Sequence, residues 1–135
     1  FELWVYDGSS IPTMVADINP NGNSIPYGLT VFNNRLYFGV AHDQFGQSHE
    51  DLWAYNGVSS PTLVAEINAG DSSFLEALTV FNDKLYFAAY DGSSAGIELW
   101  VLDPPENPCG AVSIYNWFRN GVVSLLSRVV GENTN

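Results

Sequence analysis

The residues of this 135-residue chain whose types and spacing suit chemistry fall into three groups, and each has a plainer structural reading beside it. Asp17-Ile18-Asn19-Pro20-Asn21-Gly22 sets an oxygen-bearing side chain at every second position. That is the D-x-N-x-N-G first half of a calcium-binding loop, and it makes Asp17, Asn19 and Asn21 candidate calcium ligands. The last position of such a loop falls on Gly28, where a bidentate glutamate is required, and the related stretch Glu66–Asp71 does not keep the pattern. Asn and Asp also collect in tight turns because they tolerate unusual backbone angles. The second group is His42, Asp43, His49, Glu50 and Asp51, imidazoles and carboxylates suited to a transition metal. Six residues separate the histidines, which fits neither a helical nor a hairpin ligand spacing, so a solvated polar loop is the favoured reading. The third group is aromatic. Trp4, Trp53, Trp100 and seven tyrosines offer flat amphipathic surfaces on which sugar rings stack. Each of these tryptophans follows a leucine at the same place in a repeated phrase, which favours packing between layers.

Enzymatic signatures are missing. The sequence has no phosphate-cradling loop, no dinucleotide-binding glycine run and no nucleophile with a base beside it, and its two histidines are too few for distributed acid–base work. Cys109 is the single cysteine, so the chain forms no internal disulfide; it reads as a plain thiol. The expectation is a protein that is not an enzyme and carries no cofactor, with calcium as the alternative ligand.

Charge narrows the partners. Fifteen acidic residues against four basic give a net charge of −11, which disfavours nucleic acid and anionic lipid surfaces. The excess lies in residues 1–103, whose bases are Arg35 and Lys84, while after Asp103 two arginines balance two glutamates. No apolar run approaches the roughly 18 residues that span a bilayer. With 46% hydrophobic and 14% aromatic residues, the chain is too apolar for a disordered segment.

The elements that position these residues are repeated. PTMVADIN at 12–19 returns as PTLVAEIN at 61–68, and LTVFNNRLYF at 29–38 returns as LTVFNDKLYF at 78–87, both after 49 residues. Trp4 to Trp53 keeps that offset, and Trp53 to Trp100 is 47. A period of this length rich in Val, Thr, Tyr, Phe and Trp suits units of strands rather than helical repeats. One unit reads as strands at Leu29–Phe32, Arg35–Ala41, Asp51–Tyr55 and Thr62–Ile67, with Asn33-Asn34 as a two-residue hairpin turn. The next unit repeats this through Asn82-Asp83 and ends with its third strand near Val101. Ahead of both, Glu2–Tyr6 and Thr13–Ile18 supply a third and fourth strand only. Both faces of these strands carry large apolar groups, as in Leu36-Tyr37-Phe38, so each sheet requires cover on both sides. Small four-stranded sheets stacked around an axis, a β-propeller arrangement, satisfy this; a β-sandwich is the alternative.

Glu2-Leu3-Trp4, Asp7-Gly8, Thr13, Asp17-Ile18-Asn19-Pro20, Asp91-Gly92, Gly96 and Glu98-Leu99-Trp100 together resemble the ELW/DGT-type repeats of large secreted and surface proteins of bacteria and archaea. The resemblance covers roughly residues 1–103 and implies propeller-blade-like sheets and an extracellular or cell-surface setting, but no reaction. Pro12-Thr13 and Pro61-Thr62 stand where those repeats often have Gly-Thr, and Ala16 and Ala65 stand where they often have a base.

The expected organisation is an all-β repeat domain at 1–103, a proline-rich linker at 104–112 and an amphipathic helix at 113–131. The helix is read from apolar spacings of three and four through Ile114, Trp117, Phe118, Val122, Leu125, Leu126, Val129 and Val130. Trp117, Phe118, Leu125, Leu126 and Val129 are its candidate contact residues. Closed propellers need about four or more blades, so a chain with about two is expected to self-assemble, as a homo-oligomer, or to sit within a longer array of adjacent repeats. One route would be exchange, with the Thr13–Ile18 strand of one copy completing the three-stranded unit of another. The functional expectation is an extracellular structural or interaction module; the alternative is a ligand-binding propeller segment that recognises glycan or calcium.

Overall fold

A computed structural model of the chain describes residues 1–44, 47–103 and 113–116. They form ten strands: β1 (Leu3–Val5), β2 (Thr13–Ala16), β3 (Pro26–Phe32), β4 (Arg35–Gln44), β5 (Gln47–Tyr55), β6 (Thr62–Ala65), β7 (Glu76–Phe81), β8 (Lys84–Tyr90), β9 (Ile97–Asp103) and β10 (Ser113–Asn116). The strands make a two-stranded sheet β1-β2 and two four-stranded sheets, β3-β4-β5-β6 and β10-β9-β8-β7, all antiparallel. None of the three sheets closes on itself. The described residues are all-β, with no helix among them.

Local chemistry fixes the hairpins. Asn33 and Asn34 have φ of 46° and 58°, and Asn82 and Asp83 have 48° and 56°. Two successive left-handed residues make the two-residue turn whose twist matches the strands it joins. The turns ahead of β2 and β6 are also copies of one another, and the turn ahead of β9, at a different place in its unit, uses the same kind of side-chain bond. Asp7 Oδ1 accepts from the Ser9 and Ser10 amides, Asn56 Oδ1 from those of Val58 and Ser59, and Asp91 Oδ1 from that of Ser93.

Packing is by faces, and the order repeats. In the middle sheet Leu36, Phe38 and Val40 share a side with Trp53 and Tyr55; this tryptophan face packs on Leu3, Val15 and Ile18 of the β1-β2 unit. The opposite, tyrosine face carries Phe32, Tyr37, Leu52 and Ala54 and packs on Leu85, Phe87, Ala89, Trp100 and Leu102 of the third sheet. Those third-sheet residues occupy the positions of Leu36, Phe38, Val40, Trp53 and Tyr55 one repeat later. The sheets therefore stack head to tail. The middle one is covered on both sides, so the chain is not a two-sheet sandwich.

Three expectations are corrected. The second full unit does not end at its third strand, because Ser113–Asn116 pair with β9 in the register Ser113↔Asp103 to Asn116↔Trp100. These residues are strand, not the first turn of a helix. An open β9 edge offers a ladder of backbone partners, and Ile and Tyr suit a pleated surface. β10 fills the place that an exchanged Thr13–Ile18 strand would have taken. Residues 117–131 of the expected helix, with Trp117, Phe118, Leu125, Leu126 and Val129, lie outside the described residues, as does Cys109. The third correction concerns the histidine-bearing segment, which is strand on both sides: β4 and β5 continue through His42↔His49 to Gln44↔Gln47. At the matching place the third sheet closes early in the Asp91–Gly96 turn.

Candidate functional site

Three places hold the residues singled out by the sequence. The first is the connector between units. Asn19 is buried, its amide nitrogen donates to Asn23 O at 3.0 Å and its Oδ1 accepts from the Asn21 amide at 3.3 Å. Asn68, one repeat later, donates in the same way to Ser72 O at 2.8 Å. Each connector then inserts a fully buried serine: Ser24 Oγ donates to Phe1 O at 3.1 Å and Ser73 Oγ to Glu50 O at 2.5 Å. The donor-rich DINPNG stretch is thus a turn built by Asn19, with Asp17 and Asn21 exposed beside it. Among the described residues no group of three or more His, Cys, Asp or Glu is arranged to hold a metal.

The second place is the extended β4–β5 hairpin. His42 and His49 are direct cross-strand partners, a proximity the spacing reading missed because it took the segment for a loop. His42 Nε2 meets Asp51 Oδ2 at 3.0 Å, and both side chains are largely covered. Burial raises the Asp51 carboxyl above its ordinary pKa, opposed by the hydrogen bond and charge of His42 and reinforced by Glu66. With Glu66 and Gly70 these groups line an open polar depression of about 240 Å³. Nearby, Tyr27 is held well above the usual phenol range by burial first, then by the charges of Glu50, Asp51 and Glu76. Its hydroxyl has no hydrogen-bond partner among the described residues. The ring lies over Gly39, where an added Cβ would meet its Cζ, Cε2 and hydroxyl. The hairpin has a hydrogen-bonded imidazole–carboxylate pair.

The third place is the pair of outer faces of the stack. On the β1-β2 sheet, Trp4 and Met14 sit opposite each other and are 59% and 46% exposed, with Tyr6 just beyond them. On the third sheet, Phe81 is 63% exposed and Leu99 45%, around the ring of Tyr86. The sequence had assigned the tryptophans to packing between layers. That holds for Trp100, which is buried with its indole donating to Ala89 O at 3.0 Å, and for half-buried Trp53. Trp4 occupies the same position with no layer against it among the described residues.

The β1-β2 sheet repeats β5-β6 pair for pair. Leu3↔Ala16, Trp4↔Met14 and Val5↔Thr13 correspond to Leu52↔Ala65, Trp53↔Leu63 and Ala54↔Thr62, with the same register shift after the leucine. In the middle sheet, however, β5 also pairs with β4, whereas β1 pairs with β2 alone among the described residues.

Comparisons of the chain with protein-family models, with curated proteins and with solved structures return no match.

Proposed function

We propose that the chain is an extracellular structural or interaction module built from propeller-blade-like units, which associates with further units of its own kind, either copies of itself or adjacent repeats of a longer array. The observation that carries this reading is the β1-β2 sheet. It reproduces the third and fourth strands of a four-stranded unit to the level of register, and its Trp4 presents outward the face that is covered in every later unit. The ELW/DGT-type phrases, the acidic surface and the missing enzymatic signatures support the same class of role.

Completing the first unit tests the reading. A copy of residues 20–49 fused ahead of Phe1 supplies the two strands that stand before β5 in the middle sheet. Slower amide exchange along Leu3–Val5 and a higher melting temperature than the parent are expected, since an open edge gains a ladder and an apolar face. Unchanged exchange in β1 would contradict it.

A further inference from the structure

The head-to-tail order of the sheets makes the two ends of the stack complementary to each other. Inside the chain, one interface joins a tyrosine face to a tryptophan face. The Phe32–Tyr37 ring pair of the middle sheet, with centroids 5.9 Å apart, is buried in one cluster with Trp100, Phe87 and Leu85 of the third sheet. The third sheet repeats that ring pair as Phe81–Tyr86, with centroids 6.3 Å apart; here Phe81 is exposed, Tyr86 is half-buried and its cross-strand neighbour Val101 is buried. The β1-β2 sheet repeats the tryptophan position as Trp4, and that too is exposed. Among the described residues, parts of both halves of an interface the chain already forms are thus exposed, Trp4 and Met14 on the first sheet and Phe81 and Leu99 on the third.

Resting on the association reading above, we propose that the partner at these ends is a second copy of this chain, docked head to tail: Trp4 of one copy seats on the Phe81–Tyr86–Leu99 face of the next, as Trp100 seats with Phe32, Tyr37 and Leu52 within a copy. Such a contact is heterologous, so each copy uses two different surfaces and the array closes into a ring or runs on as a filament according to its rotation. At neutral pH every copy carries the same −11 charge, so Coulomb repulsion opposes docking and apolar burial drives it. Association consequently strengthens as salt is added.

The test uses two full-length variants, Trp4→Glu and Phe81→Glu, each altering an exposed residue on one end only. Alone, each is expected to keep the wild-type circular dichroism but to give a single-chain mass at concentrations where the wild type gives larger particles. Mixed in equal amounts, they are expected to form a particle of two chains, because each variant retains the face the other has lost. If either glutamate variant loses its fold, Trp4→Ala and Leu99→Ala replace the pair, each weakening association by about tenfold or more, as for a central apolar anchor. A wild type that assembles while both variants assemble equally overturns the proposal and leaves the association reading standing. The same holds for variants that dissociate but do not pair when mixed. A wild type of single-chain mass, together with a fusion stabilised by residues 20–49, means that the neighbour is a further repeat and not a second copy.

Discussion

Gly39 and Tyr27 face each other across β3 and β4, and the tyrosine ring occupies the space a side chain on Gly39 would need. Gly39→Ala is expected to lower stability by about 1–3 kcal/mol through overpacking. The Gly39→Ala/Tyr27→Ala pair should lose less than the sum of its singles, a coupling that urea unfolding of the four chains would measure. Ser73 makes its buried bond to the Glu50 carbonyl, so Ser73→Ala is expected to cost about 1–3 kcal/mol by the same assay, because the carbonyl is left unpaired. Asp51 supplies the pH dependence. Burial raises its pKa above 3.8, so the folded chain holds this proton more tightly than the unfolded one. Its contribution is therefore most favourable at acid pH and is lost as pH rises from about 4 through the folded value. Asp51→Asn removes that loss, so the melting temperature of the variant relative to the parent should climb across this window. The charged neighbours His42, His49 and Glu66 stay in place in both chains. A constant difference would show that Asp51 does not titrate differently on folding.

Turns and connectors carry the next level. Asn33 and Asn34 both adopt positive φ, which a residue such as alanine reaches only at a cost, so Asn34→Ala is expected to destabilise the chain by about 1 kcal/mol in thermal unfolding. These turns were legible in the sequence, because Asn-Asn and Asn-Asp between apolar runs have few other uses. The repeat of 49 residues and the two-faced burial of the middle sheet were legible for a similar reason: Leu36, Tyr37 and Phe38 are all large, and no solvated face would keep them so. Two features were not. β10 is held by an edge contributed from Trp100–Asp103, and four residues of Ser-Ile-Tyr-Asn show no sign of that distant partner. The pairing of His42 with His49 follows from a hairpin that runs further than its counterpart, and the intervening polar residues read as loop. The calcium-like phrase at 17–22 also has a structural use. Its spacing belongs to the turn that Asn19 holds together, as the parallel bond from Asn68 makes plain.

At the scale of the whole molecule, the same face-to-face contact recurs between each unit and the next, and it ends at Trp4 on one side and Phe81 on the other. Where copies dock as proposed, repulsion between chains of −11 charge would keep them apart at low concentration and low salt, and burial of Trp4 and Phe81 would bring them together above it. Light scattering of the native chain across a concentration series at two salt levels measures this most directly. The account predicts masses that are multiples of the 14.8 kDa chain, rising with concentration and with added salt. A mass of one chain at every concentration and both salt levels would contradict it.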